Sequence, residues 1–377
     1  MPHVQRTRLD QQVPPGRHVL LVGATGFIGS AVARALAGRP DVELSVLVRG
    51  ADRIPDARQL LGDLTKPDSL IGSCQGIDTL VHAASCVGPD LEQCAAVNDR
   101  GTSALLREAA RAGVRRIIYI STAAVYGPGP HCNVEPEHLV PAPLSPASRT
   151  RLVAEDTVRA AGGAVLRPHL IYGVGDRWFV PELVKLIRLL SGLPNADQVR
   201  LSTIAVDDLA GVLAGLVTHA DALPPGTVLH ANHPTPTVLR TMIDTVVSNI
   251  GLPWTNRHTS REQAGKEIRA NDGSERHLAR ICADHWYTSE RIWRLADHDP
   301  GPGFTETFPR YASWYRTELA KSDPACLTES SPSAPRTVPI RGESATLTAV
   351  SGLPQVVGTT NQASVHPTYL RRVDQRD

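Results

Sequence analysis

The sequence predicts an α/β fold built on a doubly wound parallel sheet, with a smaller C-terminal lobe. Three observations predict it. An apolar run of strand length, Val19-Leu20-Leu21-Val22, meets the turn Gly23-Ala24-Thr25-Gly26-Phe27-Ile28-Gly29 and then helix formers from Ser30 to Leu36. Strand-like and helix-like segments alternate along the chain after it. The strand segments are apolar throughout rather than at every second residue, which is the pattern of strands covered on both faces.

The glycine turn carries the chemistry. Strand, glycine turn and helix together point backbone N–H groups and the positive end of a helix at a pyrophosphate. Glycine is required because a Cβ would block the tight turn, the approach of the phosphate, or the packing of helix on strand. The spacing is Gly-x-x-Gly-x-x-Gly rather than Gly-x-Gly-x-x-Gly. Taken by itself it also fits a plain turn between a buried strand and a helix.

The next strand, Val42 to Val48, ends at Arg49. A residue about 20 positions beyond the glycines meets the adenosine ribose, and an arginine there suits a 2′-phosphate. Arg49 therefore favours NADP (NADPH), with NAD as the alternative. Gln59 to Leu64 and Asp78 to Ala84 read as the third and fourth strands, Asn98 to Ala112 as a helix, and Arg116 to Thr122 as the fifth strand. Pro128 to Pro146 is proline-rich and reads as an irregular loop before a helix at Ala147 to Ala161. Beyond it the pattern gives a strand at 164–172, a helix at 180–190, a strand at 201–206, a helix at 207–217, a strand at 227–231 and a helix at 237–250. Arg257 to Arg280 is densely charged and reads as a solvated loop or helical excursion. Trp286, Trp293 and Trp314 belong to a helix-like close that packs the lobe.

These segments divide the chain into a flexible arm (1–16), an NADP-binding domain (17–175) and a mainly substrate-binding lobe (176–321). Elements of the sheet are interleaved in the lobe near 201–232. The remainder, 322–377, is rich in Ser, Thr, Pro and Gly without periodicity and reads as a disordered tail.

Composition excludes several classes. Lys and Arg number 39 against 38 Asp and Glu, a net charge of +1 with no basic patch, which argues against a nucleic-acid partner. No uninterrupted apolar run approaches the ~20 residues that cross a bilayer. Met1 to Gly16 is polar without a signal-peptide core, so the expected compartment is the cytoplasm. The six cysteines form no Cys-x-x-Cys pair and read as reduced and structural; no metal site is expected, Cys86, Cys94 and His82 included.

Further segments share a common likeness: Gly62-Asp63-Leu64, Val81-His82-Ala83-Ala84, Val97-Asn98, Ser121-Thr122-Ala123-Ala124-Val125-Tyr126-Gly127, Leu166-Arg167-Pro168, Ile171-Tyr172-Gly173 and Val206-Asp207-Asp208-Leu209-Ala210. With the glycine turn, and in this order, the chain resembles the extended short-chain dehydrogenase/reductases, the NAD(P)-dependent epimerase/dehydratase family, from about Arg17 to Leu319. The resemblance implies a Rossmann fold in which Gly23, Gly26 and Gly29, with Thr25, Phe27 and Ile28 between them, hold the pyrophosphate. It implies that Asp63 and Leu64 flank the adenine and that Ala83 and Ala84 lie beneath the cofactor. It puts Thr122 at the hydroxyl position that holds the substrate carbonyl and Asn98 at the usual asparagine. It also implies a homodimer formed through two helices of the cofactor domain.

The pattern breaks on one helix. Family members read Tyr-x-x-x-Lys-x-x-x-Glu, and this chain reads Ala147-Ser148-Arg149-Thr150-Arg151-Leu152-Val153-Ala154-Glu155. Alanine stands where the proton-donating phenol is expected, and Arg151 replaces the lysine. Arg151 can bond ribose hydroxyls but releases no proton near neutrality. Losing a positioned general acid costs about 10²–10⁴ in rate. Hydride transfer needs mainly orientation, so a reductase remains open with a proton from Thr122, Tyr126, Tyr172, His82, His169 or the substrate itself. Tyr126 and Tyr172 border the substrate pocket of the resembled family, Ser85 just past the fourth strand and His169 are further candidate substrate contacts, and His82 reads as a core histidine.

The leading expectation is an NADPH-dependent ketoreductase of antibiotic biosynthesis acting on an aromatic polyketide or a nucleotide-linked 4-keto-deoxysugar, its proton supplied without tyrosine. A nucleotide-sugar epimerase or dehydratase is weaker, because those reactions begin by removing a hydroxyl proton. A non-catalytic NADP-binding sensor or scaffold is the reading from a different class.

Overall fold

A computed structural model describes residues 17–322, apart from 51–53, 220–222, 255–256, 258 and 272–274. The expected arm (1–16) and the tail beyond 322 lie outside the described residues. Strand β1 (Arg17–Val22) runs through the glycine turn into α1 (Phe27–Ala37), followed by β2 (Val42–Val48), β3 (Arg58–Leu61) and β4 (Thr79–His82). A short α2 (Leu91–Cys94) continues through a π-helical segment, Ala95–Gly101, into α3 (Thr102–Ala112). Next come β5 (Arg116–Ile120), β6 (His131–Val134), α4 (Pro146–Ala160), β7 (Ala164–Arg167), β8 (Leu170–Tyr172) and α5 (Val180–Leu189). They are followed by β9 (Arg200–Leu201), β10 (Thr203–Ala205), α6 (Val206–Thr218), β11 (Val228–His230), β12 (Thr237–Val238) and α7 (Leu239–Ile250). The described chain closes with α8 (Arg261–Ala270), α9 (Glu275–Ile281), β13 (His285–Tyr287), α10 (Glu290–Ala296), α11 (Phe304–Thr307) and α12 (Ala312–Ser322).

Seven strands form one sheet in the order β3-β2-β1-β4-β5-β7-β11, and every pairing in it is parallel. The side chains of β1 show why such strands are apolar at every position. Val19 and Leu21 pack with Val32 of α1, Leu209 and Leu213 of α6 and Trp293 of α10. Leu20 and Val22 point the other way, into Leu105 and Ala109 of α3 and Val158 of α4. Connections leave in opposite directions from β1 and β4, and that switch point opens a crevice at the carboxyl edge of the sheet.

The lobe is built differently. A parallel pair, β8 and β10, and a small sheet ordered β12-β9-β13-β6 sit with a separate apolar core that includes Leu183, Ile243, Ile268, Phe308 and Tyr315. The stretch 164–172 is two strands rather than the single one expected. Pro168 separates them: it has no N–H to extend the ladder, and its carbonyl accepts the Ala123 N–H at 2.8 Å. The expected loop 128–146 contains β6, whose residues carry no proline and pair with β13. Trp286 lies on β13 rather than in a helix, with Arg200 5.7 Å above its ring. The charged stretch 257–280 contributes α8 and α9. Among the described residues no helix is long and apolar enough to cross a membrane.

Candidate dinucleotide cradle and active site

The turn after β1 is shaped by its glycines. Gly23 has a φ of +94°, and a Cβ there would lie 2.5 Å from the Ala84 backbone nitrogen. A Cβ on Gly29 would lie 2.0 Å from the Gly23 carbonyl oxygen, so α1 could not close on the turn. Gly26 donates its N–H to that carbonyl at 3.0 Å and caps α1 with no side-chain bond, and no acidic residue occupies the first turn. The N-terminal amides of α1 therefore face the crevice without a competing anion, which is the donor set a pyrophosphate needs.

Around this cradle, Thr25 and Gly26 are exposed, Phe27 and Ile28 are half-buried, and Ala83 and Ala84 form a half-buried floor just past β4. The segment after β8 reaches the same place, since a Cβ on Gly175 would meet the Phe27 ring at 3.1 Å. Arg49 is exposed at the end of β2. Asp63 Oδ1 accepts from Thr65 N at 2.9 Å and from Thr65 Oγ1 at 2.8 Å. The Thr65 amide, helped by Lys66 and Arg49, holds its carboxyl below the usual aspartate range. Leu64 beside it is buried. These residues fit a bound dinucleotide.

At the carboxyl end of β5 the expected catalytic residues converge. Thr122 is half-buried, and its Oγ1 accepts the Ala124 N–H at 3.2 Å, a bond that uses none of the hydroxyl's own donor capacity. Arg151 sends Nη2 to the carbonyls of Ile120 at 2.8 Å and Ser121 at 2.7 Å, while its Nε is buried without a partner. The buried Tyr119 hydroxyl lies beside the guanidinium. Asn98, in the π-helical segment, is fully committed. Its Oδ1 accepts from Cys86 N at 2.7 Å, and its Nδ2 donates to Cys86 O at 3.0 Å and Thr150 Oγ1 at 2.9 Å. It clasps the loop after β4 to α4. Ala147 is a buried methyl in the first turn of α4, behind the Ser145–Ser148 capping box.

Tyr126 belongs to a buried polar chain. Ser121 and Arg167 both bond Glu155, Arg167 Nη1 donates to Tyr126 Oη at 2.7 Å, and Tyr126 Oη lies 2.8 Å from His230 Nε2. Having accepted from arginine, the phenol gives its own proton to His230. Burial pushes the Tyr126 phenol up to about 12 and holds His230 down to about 3. Both act as fixed, neutral partners, so Tyr126 is a pillar rather than an acid.

The remaining named residues separate. His169 follows β7 at the carboxyl edge, where its N–H donates to Asn232 Oδ1 at 2.8 Å, its ring stacks on His285 at 5.5 Å, and its Nε2 is buried without a partner. Burial, then His285, holds it neutral. Ser85 is half-buried and points its hydroxyl at the Cys86 carbonyl. Tyr172 turns away from the crevice into the lobe core, against Phe304, Phe308 and Tyr311. His82 is buried on β4 with Nε2 2.9 Å from Thr102 Oγ1, and burial lowers it to about 3, so it stays neutral and is no general acid near neutral pH.

Four histidines, 131, 169, 230 and 285, gather with Tyr126 and Tyr287 where β6, β11 and β13 meet the end of β7. No sequence spacing announces this cluster, because its members come from separate elements. The buried Glu155–Arg167 pair does have a signal: both residues stand in segments that align with the family pattern.

The pattern of the NAD dependent epimerase/dehydratase family matches residues 19–231. The chain is 26% identical over 329 residues to the 2-alkyl-3-oxoalkanoate reductase of Stenotrophomonas maltophilia, covering 78% of this chain and 97% of that protein. It is 29% identical over 247 residues to the 4-hydroxy-2-methyl-3-oxo-4-farnesyl-3,4-dihydroquinoline-1-oxide ketoreductase of Stigmatella aurantiaca, covering 62% and 73%. In fold it is similar to the UDP-glucuronic acid 4-epimerase of Bacillus cereus in complex with NAD, with a TM-score of 0.62, 19% identity, and coverage of 81% and 98%. The chain belongs to the NAD dependent epimerase/dehydratase family, among the extended short-chain dehydrogenase/reductases, and is an NAD(P)-dependent oxidoreductase.

Proposed function

We propose that this chain is a cytoplasmic NADPH-dependent ketoreductase that reduces a ketone of a secondary metabolite, of polyketide type, in an antibiotic pathway. The observation that carries the proposal is Ala147, a buried methyl at the phenol position beside an intact dinucleotide cradle. Epimerases and dehydratases begin by taking a proton from a sugar hydroxyl, and no group at that position can do so. A ketone can be reduced without it, because hydride transfer depends on orientation and on a donor for the carbonyl oxygen. The names of the two curated relatives, a 3-oxoalkanoate reductase and a 3-oxo-quinoline ketoreductase, favour the same chemistry.

A reduced nicotinamide on the cradle would supply the hydride. The exposed Arg49 selects the 2′-phosphate. Thr122 donates its free hydroxyl proton as a hydrogen bond to the ketone oxygen, and Arg151 fixes the carboxyl end of β5 while placing positive charge beside it. Arginine keeps its proton, so the hydrogen that completes the alcohol comes from a phenol or enol hydroxyl next to the ketone in the substrate.

A second reading, a non-catalytic NADP sensor, is favoured by one observation: Arg151 spends Nη2 on two backbone carbonyls. Purified protein mixed with NADPH and a panel of hydroxyaryl ketones, 3-oxo ketones and nucleotide sugars decides between them. Loss of NADPH fluorescence with one of the ketones supports the reductase. Tight binding with no oxidation supports the sensor, and isomerised nucleotide sugar without net cofactor change supports the epimerase.

A further inference from the structure

Exposed large apolar side chains are not spread evenly over this molecule. Val87 and Leu91 follow β4, Val140 and Leu144 precede α4, and Val174 and Trp178 follow β8, with exposures of 46, 51, 86, 57, 44 and 57%. The other large apolar side chains with comparable exposure, Leu61, Ile71 and Val153, sit on β3, after a short 3₁₀ turn and on α4. A single exposed leucine is ordinary, but three pairs on three connecting segments are not.

The fold brings those loops to one edge. β4 and β5 are parallel neighbours, so the segments directly after them leave at the carboxyl end, where the dinucleotide crevice opens, and the segments after β6 and β8, strands of other sheets, are tied to that edge by single contacts. The loop after β4 is clasped there by Asn98 through both polar atoms of the Cys86 backbone. The segment Leu139-Val140-Pro141-Ala142-Pro143-Leu144 contains no polar side chain at all. It is tied beside Thr122 by the Ala142 N–H, which donates to Val125 O at 2.8 Å. The loop after β8 lies against Phe27 through Gly175. It is held rigid by Asp176, whose carboxylate accepts the Trp178, Phe179 and Val180 amides at 2.8–2.9 Å and the Tyr315 hydroxyl at 2.9 Å. Trp178 is thus displayed on a fixed turn.

Val140 sits apart, since its neighbours Leu139 and Pro141 line a hollow with Arg159 and Gly226 beside β11. We propose that the other five side chains form an apolar collar around the mouth of the reducing site, and that the ketone carries an apolar chain or ring system that lies between them. The inference rests on the ketoreductase reading for the position of the reacting carbonyl and adds the substrate's character beyond it. It sets the nucleotide-linked sugar apart from the polyketide, since a diphosphate-bearing sugar has nothing to gain from three apolar loops.

The test is a series of 3-oxo ketones with one head group and alkyl chains of increasing length. Their affinity for the NADP-loaded protein is measured by calorimetry, and their kcat/KM by NADPH oxidation. A methylene that is half to fully buried is worth about two- to fourfold in affinity, so binding rises by that factor per methylene until the chain outgrows the collar. The double variant Trp178→Gln, Leu144→Gln flattens the rise, whereas Leu61→Gln, on β3 outside the collar, leaves it unchanged. Affinity independent of chain length in the wild type, or an unchanged slope in the double variant, overturns the collar. Chain-dependent binding without NADPH oxidation leaves the collar standing and removes the reductase reading.

Discussion

At the scale of single residues the site depends on which protons are free and which charges are uncommitted. Thr122 accepts a backbone N–H and keeps its own proton to donate, whereas Tyr126, His82 and His230 are locked into buried bonds as neutral groups. On the proposed role, Thr122→Ala removes the donor to the carbonyl oxygen and should lower kcat by about 10²-fold, while Thr122→Ser should retain most of the rate. Steady-state kinetics with one ketone checks both. Arg49 is exposed at the strand end, where its charge can meet a 2′-phosphate. Arg49→Glu should raise the KM for NADPH by about 10- to 100-fold, the worth of a charge-assisted bond, with little change for NADH. Equal losses for both dinucleotides would remove Arg49 from the phosphate site.

At the scale of elements, α4 and β7 are fastened by a buried ion pair. Glu155 and Arg167 are 1% and 4% exposed and are extended by Ser121 and Tyr126. Removing one member of such a pair leaves the other charged and unmatched. Glu155→Ala should cost about 3–5 kcal/mol of stability, measured by urea unfolding. The inner strands of the main sheet were legible in the sequence because both of their faces are buried, which makes them largely apolar, while the edge strand β3 is mostly exposed. The cradle was legible because a positive φ at Gly23 and the contact between Gly29 and the Gly23 carbonyl leave room for glycine alone. The lobe was less so. A single apolar run, 164–172, hides a change of sheet at Pro168, and Trp286 joins a strand whose partners lie far away in sequence. Tyr172 sits in a family segment, yet its ring fills the lobe core, because motif position does not say which way a side chain turns.

At the scale of the whole molecule, buried neutral histidines tie stability to pH. His82 and His230 are held at about 3 by burial, with the charges of Arg151 and Arg167 adding to it. In the unfolded chain each returns to about 6.5 and takes up a proton that the folded chain refuses. The unfolded state therefore binds more protons as pH falls below about 6.5, and folding weakens down to about 3, by up to ~1.4 kcal/mol per pH unit for each group. His82→Leu should flatten that slope by one proton's worth, whatever it does to stability at neutral pH. Urea titrations at a series of pH values read it directly. An unchanged slope would mean that His82 protonates in place.

The same whole-molecule arrangement, a complete cradle beside a helix without its phenol, makes one claim above the rest: this chain transfers hydride although Ala147 has no proton to give. A single turnover measures it, by mixing stoichiometric enzyme-bound NADPH with a hydroxyaryl ketone and following the loss of the reduced nicotinamide in wild type and Ala147→Tyr. Oxidation by the wild type, changed less than about tenfold by the new phenol, is the predicted result. Bound NADPH that stays reduced in the wild type but is oxidised in Ala147→Tyr would contradict it.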